Sequence, residues 1–212
     1  MSPRNAAALR HSEDGRSLRE HLIAITERMI SAQGTAGLTV RAIARQAGVA
    51  DGVLYNYFAD KEELLANALR AHVRTVERGL GDLPEPGTNT VEANLRGYLG
   101  YGLALHRAIL PAFAGLLAQP TVLSKFAELD GHGEDWRDRL ARYLHAERDL
   151  GRLAADAQLD AAAAMIVGVC HETVLPALFQ HGATTAEPPS VDSIVATVLT
   201  GIGQGERTSG PS

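Results

Sequence analysis

The stretch that most constrains this chain is residues 38–65, where a glycine separates two short helical segments. Thr39 can cap the first of them, because its hydroxyl can accept a backbone N–H from the first turn. The next residues include an inward-facing stripe made of Ile43, Ala44 and Ala47. Gly48 is placed to end the helix with a positive φ, which glycine adopts at little cost. This order predicts a helix-turn-helix.

The second short helix is predicted over Asp51–Tyr57. Its apolar positions return to the same small core as the first helix, and they are Val49, Leu54 and Phe58. Tyr55, Asn56 and Tyr57 are then left facing outward. In helix-turn-helix proteins the second helix lies in the major groove, so its exposed side chains must suit base edges and phosphates. A tyrosine can donate its hydroxyl to a phosphate oxygen, and an asparagine can read a base.

The run Gly48–Phe58, followed by Lys61–Leu65, closely resembles the signature of the TetR/AcrR (tetracycline-repressor-like) family of transcriptional regulators. The resemblance covers residues 17–70. It implies an all-α fold with an N-terminal three-helix helix-turn-helix domain and a C-terminal helical bundle for ligand binding and dimerisation. It also implies a sequence-specific DNA-binding regulator, most often a repressor released by a small organic ligand.

Carried over position by position, the resemblance implies a set of DNA-binding residues. Thr39 and Lys61 are expected to contact phosphates. Arg41 is expected to contact a base or a phosphate. Those on the base-facing side are Asp51, Gly52 and Asn56, with Tyr55 and Tyr57 on the DNA backbone. Two positions depart from the family pattern, since Ala50 stands where a serine cap is common and Val53 where a hydroxyl often contacts phosphate. The missing cap is worth about 1 kcal/mol.

Asp51 carries a negative charge at the start of the second short helix, where base contacts are expected. Phosphates repel a carboxylate unless it accepts a hydrogen bond, for example from the amino group of cytosine. Asp51 therefore predicts at least one cytosine preference in each half-site. The alternative is that Asp51 only caps its helix.

The net charge of −5 is unevenly distributed along the chain. Residues 1–80 contain 11 Lys and Arg against 9 Asp and Glu, whereas residues 81–212 contain 9 against 16. The N-terminal part therefore suits a polyanion and the remainder does not. A basic arm, with Arg4, Arg10, Arg16 and Arg19 in or beside it, can add phosphate contacts; the alternative is a solvated tail.

The 212 residues are 45% hydrophobic, which suffices for two helical domains with apolar cores. The single Cys170 excludes an internal disulfide. We find no stretch of membrane-span length and no signal-peptide block, so a cytoplasmic protein is expected. The sequence also contains no strand pattern and no internal repeat.

Four segments are predicted along the chain. Residues 1–16 form a disordered basic arm, 17–60 the DNA-binding domain, 61–203 the ligand-binding and dimerisation domain, and 204–212 a disordered tail. Residues 61–81 connect the two domains. Outside the helix-turn-helix pair, the predicted helices are 17–32, 62–79, 90–110, 134–150, 156–181 and 190–202. The helix 90–110 is expected to stop or kink at Pro111. One further helix is expected to start at Pro120.

The last two predicted helices carry small and apolar residues on too many faces for the exterior of a monomer. The residues expected in a homodimer interface are Ala161, Ala164, Met165, Gly168, Val169, Ile194, Val195, Val198 and Leu199. Two copies paired as a four-helix bundle would place their two recognition helices about 34 Å apart. This spacing matches a palindromic operator in double-stranded DNA. Burial of these residues within one chain is the alternative.

Histidines and Cys170 in the second half do not form a metal or catalytic pattern. Cys170, His171 and Glu172 are consecutive on a helix and point in different directions, and no His-x-x-x-His or Cys-x-x-Cys pair occurs. The chain also lacks a Gly-x-Ser-x-Gly elbow and a phosphate-binding glycine loop. We therefore predict neither an enzyme nor a metal or other cofactor.

The histidines and aromatic residues of the second predicted domain better suit a largely apolar ligand pocket between bundle helices. The candidates are Tyr98, Tyr101, His106, Phe113, Trp136, His171 and Phe179. Core packing is the alternative for each one. Together they predict an aromatic or amphipathic organic ligand. Two other functions stay open, namely an activator or ligand-independent DNA binder, and a nonenzymatic small-molecule carrier.

Overall fold

The computed structural model describes residues 17–116, 119–130, 135–179 and 189–201, and the predicted arm and tail lie outside these ranges. Within them the chain is helical and contains no strand, which confirms the predicted all-α class. The α-helices are α1 (Leu18–Gln33), α2 (Val40–Ala47), α3 (Lys61–Leu80), α4 (Val91–Ala114), α5 (Pro120–Asp130), α6 (Trp136–Asp149), α7 (Leu159–Phe179) and α8 (Val191–Thr200). A 3₁₀ helix, Asp51–Asn56, follows α2, and we call it the recognition segment.

The local signals of the helix-turn-helix are present as predicted. Ser17 and Glu20 form a capping box at the start of α1. The hydroxyl of Thr39 accepts the backbone N–H of Ala42 at 3.2 Å, so it caps α2. Gly48 ends α2 with φ +71°. The sharp turn between α2 and the recognition segment therefore depends on a conformation that L side chains rarely adopt.

The chain divides into two compact units. The first consists of Met1–Gly81 and Ala104–Asp135, as far as these are described, and it contains two apolar cores. The head core joins α1, α2, the recognition segment and the start of α3, through Leu18, Leu22, Ile25, Ile43, Ala44, Ala47, Leu54, Phe58 and Leu64. The second core joins α3 to the end of α4 and to α5, through Ile30, Leu38, Leu65, Ala66, Ala68, Leu69, Ala112, Leu116 and Val122.

The second unit consists of Asp82–Leu103 and Trp136–Ser212, as far as these are described. Its buried side chains come from the first half of α4 and from α6, α7 and α8. Trp136 packs directly on the backbone of α4, because a Cβ built on Gly102 would lie 2.2 Å from its Cζ2 atom. The inward stripe predicted for α6, namely Trp136, Leu140, Tyr143 and Leu144, is buried.

A helix stop at Pro111, one of the two predicted alternatives, is not observed, because α4 continues through this residue to Ala114. An internal proline removes one helical hydrogen bond and costs about 3 kcal/mol. Packing offsets this cost here, since the neighbouring Ala112 is buried in the second core of the first unit. The recognition segment is also one residue shorter than predicted, and its N-cap residue Ala50 makes no side-chain cap bond.

Candidate nucleic-acid interface

The recognition segment exposes polar and aromatic side chains to solvent and packs its apolar side chains into the core. Leu54 and Phe58 are 3% exposed, whereas Tyr55 and Tyr57 are 58% and 38% exposed. The side chain of Asn56 is exposed as well. The outward orientation predicted for these three residues is therefore observed. Two exposed aromatic side chains so close in sequence favour a surface that meets a binding partner.

The other predicted DNA-contacting residues surround this segment. Asp51 and Gly52 are exposed in its first turn, and Arg41 is exposed in the first turn of α2. Ala50, not Asp51, occupies the cap position, so the structure gives Asp51 no capping role. A carboxylate at an exposed first turn is free to approach a donor on another molecule.

Lys61 is the first residue of α3, and its neighbours fix the start of that helix. The carboxylate of Asp60 accepts the backbone N–H of Glu63 at 2.7 Å and contacts Lys125 Nζ at 2.9 Å. The hydrogen bond from Lys125 holds the pKa of Asp60 below its usual value. Lys61 Nζ lies 3.7 Å from Glu62 Oε1 and remains partly exposed. Lys61 and the N-terminal end of α3 together suit an anion.

Arg19 lies in the first turn of α1, within the predicted helix 17–32, and it belongs to the folded part of the chain. Its guanidinium lies over the ring of Phe58, 4.9 Å from the centroid. It also donates to Asn67 Oδ1 at 3.3 Å and lies 3.8 Å from Glu63 Oε1. Arg19 therefore ties α1 to the end of the helix-turn-helix. Arg4, Arg10 and Arg16 lie outside the described residues.

An open pocket of about 510 Å³ lies in the first unit beside the two predicted phosphate contacts. Thr39 and Lys61 line it, and so do Gln119, which precedes α5, and Thr121 of α5. No local pattern predicts this meeting, because residues 39 and 121 are brought together only by tertiary packing.

The family comparison agrees with this geometry. The family model described as "Bacterial regulatory proteins, tetR family" matches residues 22–68, which include α1, α2, the recognition segment and the start of α3. Residues 22–68 are thus similar to the tetR family of regulators. The recognition segment is thus the second helix of a tetR-type helix-turn-helix.

Relatives and solved structures extend the comparison. The "HTH-type transcriptional regulator BetI" of Stenotrophomonas maltophilia is 39% identical over 62 residues, which are 29% of this chain and 32% of that protein. The chain thus spans about a third of the length of the curated relatives that it matches. The transcriptional regulator FadR of Bacillus subtilis, solved with stearoyl-CoA, has a TM-score of 0.54 and 21% identity, over 87% of this chain and 99% of that one.

A regulator from Saccharomonospora viridis, solved with choline, has a TM-score of 0.58 and 17% identity, over 85% of this chain and 92% of that one. At these identities the two solved structures establish the fold. The fold that this chain shares with these two regulators extends well beyond residues 22–68.

The residues predicted for dimerisation fall into two groups. On α7 the exposed positions follow one helical stripe, made of Ala161, Ala164, Met165 and Gly168, with Val169 half-buried beside it. On α8, Leu199 is exposed and Val198 is half-buried, whereas Ile194 and Val195 are buried within their own chain. The expectation that no stretch has the length of a membrane span was wrong, because by length and composition alone the segment Leu159–Pro176 of α7 qualifies. Only 28% of this segment is buried by the described residues, so most of its apolar surface stays uncovered by them.

The residues predicted to bind a ligand are divided between the two units. Tyr98, Tyr101 and Trp136 are buried in the second unit, and His171 there is half-buried. His106 is buried in the first unit, where the ring of Phe113 packs edge-on against Phe126. The side chain of Phe179 lies outside the described part of the chain. The structure therefore groups three of the seven candidates as buried aromatics of one unit.

The aromatic group of the second unit adjoins a buried charge that the sequence analysis did not identify. Tyr98 stacks on Tyr143 with 4.5 Å between ring centroids, and burial raises the pKa of both phenols. One turn after Tyr143, the fully buried Glu147 accepts the backbone N–H of Gly87 at 3.2 Å and pairs with Arg152. Glu147 continues the inward spacing of Leu140, Tyr143 and Leu144, which is the signal that could have found it. Among the described residues, no group of three His, Cys, Asp or Glu could hold a metal.

Proposed function

We propose that this chain is a transcriptional regulator that binds double-stranded DNA in a sequence-specific manner. The recognition segment enters the major groove, with Asp51, Gly52 and Asn56 toward the bases and Tyr55 and Tyr57 toward the sugar-phosphate backbone. The observation that carries the proposal is the solvent exposure of Tyr55, Asn56 and Tyr57 above the buried Leu54 and Phe58. The packing of Leu54 and Phe58 in the core holds the side chains that face the DNA in fixed positions.

Thr39 and Lys61 are proposed to hold the phosphates on either side of the recognition segment. The Thr39 hydroxyl accepts the Ala42 N–H, and its own hydrogen remains available for a phosphate oxygen. Lys61 supplies a positive charge at a helix N-terminus, where an anion is favoured. Arg41 is exposed in the same turn as Thr39 and can contact a base or a phosphate.

We further propose that the regulator acts as a homodimer on a palindromic operator. The exposed stripe of α7, continued by Leu199 on α8, supports this proposal because water-exposed apolar surface of this kind favours pairing with a second copy. A two-fold dimer matches two half-sites that are one helical turn of DNA apart, about 34 Å. The inward-facing Ile194 and Val195 then support the interface from behind.

A small organic ligand bound by the second unit is proposed to release the repressor from DNA. The buried aromatics Tyr98, Tyr101 and Trp136 support an aromatic or amphipathic ligand. The Bacillus subtilis FadR and the Saccharomonospora viridis regulator, which share the fold, were solved with stearoyl-CoA and choline. A ligand can lower DNA affinity only if it binds the DNA-free conformation more tightly.

Selection of duplexes from random DNA by the full chain, followed by fluorescence anisotropy, tests the DNA-binding proposal. The wild type should enrich a two-fold symmetric sequence, and Asn56→Ala should weaken its binding about tenfold, the effect of losing a base contact. Ser124→Ala, an exposed substitution on α5, is the control and should change nothing. Enrichment of no sequence at low salt would overturn the proposal.

The same selection tests the role of Asp51. If Asp51 accepts a hydrogen bond from cytosine, Asp51→Ala should enrich a consensus that has lost a cytosine in each half-site. An unchanged consensus would remove the base-reading role from Asp51 and leave the other contacts in place.

A further inference from the structure

We propose that the end of α4 and the first half of α5 position the two phosphate contacts, and that Gly115 and Lys125 are the positioning residues. We call residues 111–116 and 119–125 the elbow. This inference rests on the proposed function, because it assigns the elbow a part in DNA binding. All of the contacts that carry it lie within the first compact unit.

The first contact fixes the loop that leads to Thr39. The buried hydroxyl of Thr35 donates to the backbone carbonyl of Ala112 at 3.1 Å. Thr35 is four residues before Thr39, and Gly37 between them has φ +78°. The path of this loop, and hence the place where α2 begins, therefore depends on a carbonyl of the elbow.

Gly115 permits this approach. A Cβ at this position would lie 2.7 Å from Thr35 Oγ1 and 3.2 Å from the backbone nitrogen of Ala36. The second distance involves backbone, which cannot rotate away as the end of a side chain can. Any larger residue at position 115 must push the loop before Thr39 away from the elbow.

The second contact fixes the start of α3. Lys125 Nζ lies 2.9 Å from Oδ2 of Asp60, while Oδ1 of the same carboxylate accepts the backbone N–H of Glu63. Asp60 directly precedes Lys61. One carboxylate therefore connects the elbow to the helical turn that carries Lys61.

The elbow and both phosphate contacts meet at the open pocket of about 510 Å³. Gln119 and Thr121 of the elbow line this pocket together with Thr39 and Lys61. The pocket leaves open space at Thr39 and Lys61, while the contacts of the elbow with Thr35 and Asp60 set where these two residues lie.

A double-mutant cycle separates positioning by Lys125 from direct contact with DNA. With a duplex selected by the wild type, Lys125→Met should weaken binding about fivefold, but less than about twofold when Lys61 is already alanine. The slope of log affinity against log salt should fall by about 0.9 in Lys61→Ala, with no further fall in the double variant. Lys125→Arg should restore affinity, and Ala127→Ser, an exposed substitution on α5 beyond the elbow, is the neutral control.

Gly115→Ala tests the other contact, with Gly79→Ala as the control because a Cβ at Gly79 meets nothing within 4 Å. In ¹H–¹⁵N spectra, Gly115→Ala should shift the amides of Thr39 and Ala42, and Lys125→Met those of Lys61 and Glu63. Gly79→Ala should leave all four in place. Gly115→Ala should also weaken DNA binding about fivefold while the chain stays folded.

The outcomes distinguish the two proposals. If the wild type binds no duplex, the proposed function fails and the positioning role fails with it. If the wild type binds but the effects of Lys125→Met and Lys61→Ala add, Lys125 contacts DNA itself and only the positioning role is overturned. Unshifted amides in Gly115→Ala would likewise overturn the role of Gly115 alone.

Discussion

The Oε2 atom of Glu147 lies 3.2 Å from Nη1 of Arg152, and the glutamate side chain is fully buried. The other carboxylate oxygen accepts the backbone N–H of Gly87. Arg152 in turn donates to the carbonyls of Thr88 and Asn89. One ion pair thus holds the loop between α3 and α4 on the end of α6.

Removal of this carboxylate should destabilise the protein strongly. Glu147→Ala leaves the Gly87 N–H without its acceptor and Arg152 without its counter-charge, and losing one partner of a buried pair costs about 3 kcal/mol. The free energy of unfolding, measured by urea titration and circular dichroism, should fall by that amount. Asp149→Ala, an exposed substitution two residues along the same helix, should change it by less than about 0.5 kcal/mol. Equal effects of the two substitutions would mean that the buried pair has no special role.

A pair of glycines in α4 should respond oppositely to alanine. At Gly102 the added Cβ would lie 2.2 Å from Trp136, so overpacking should lower the free energy of unfolding by about 2 kcal/mol. At Gly100 nothing lies within 4 Å, so the better helix propensity of alanine should raise it by about 0.5–1 kcal/mol. Urea titration measures both, and fluorescence of Trp136, the single tryptophan, should change only in Gly102→Ala. A stabilising Gly102→Ala would show that the tryptophan can move aside.

The contrast between these elements shows what the sequence could predict. Thr39 and Gly48 act on their immediate neighbours, so the helix-turn-helix was predictable within a residue or two. Pro111 was read as a break because its local cost is visible, whereas the core that offsets it comes from α3 and α5. Long-range packing of this kind leaves no mark on the local pattern.

The features of the candidate site also divide into those that local spacing predicts and those that only tertiary packing brings together. The exposure of Tyr55 and Tyr57 follows from the spacing of the apolar residues around them. The pairing of Lys125 with Asp60 does not, because 65 residues separate them and both are ordinary surface charges in the sequence. In α8 the spacing of Ile194, Val195 and Val198 predicts one apolar stripe, but it does not tell whether that stripe packs within one chain or against a second copy.

The pair of Asp60 and Lys125 should make stability depend on pH in acid. The hydrogen bond from Lys125 lowers the pKa of Asp60 in the folded protein, whereas the unfolded chain has the ordinary value of about 3.9. The stabilisation is therefore complete above the unfolded pKa and is lost as the pH falls through the lower, folded pKa. Urea titrations of wild type and Lys125→Met should differ between pH 5 and 7 and converge at the acid end. Lys125→Arg, which keeps the charge, should follow the wild type, and a constant difference down to the lowest pH would contradict this linkage.

A charge placed on the exposed stripe of α7 should separate the proposed dimer. Met165 is 57% exposed, so Met165→Glu should leave the fold of one chain intact while placing a charge in the interface with the second copy. Leu150 is also 57% exposed but lies in the turn after α6, so Leu150→Glu is a matched control. Sedimentation at micromolar concentration should show a dimer for the wild type and Leu150→Glu, and a monomer for Met165→Glu. Because two linked heads bind a palindrome far more tightly than one, Met165→Glu should also lose operator affinity by at least about tenfold. A wild-type chain that sediments as a monomer would contradict the dimer, and a dimeric Met165→Glu would move the interface away from α7.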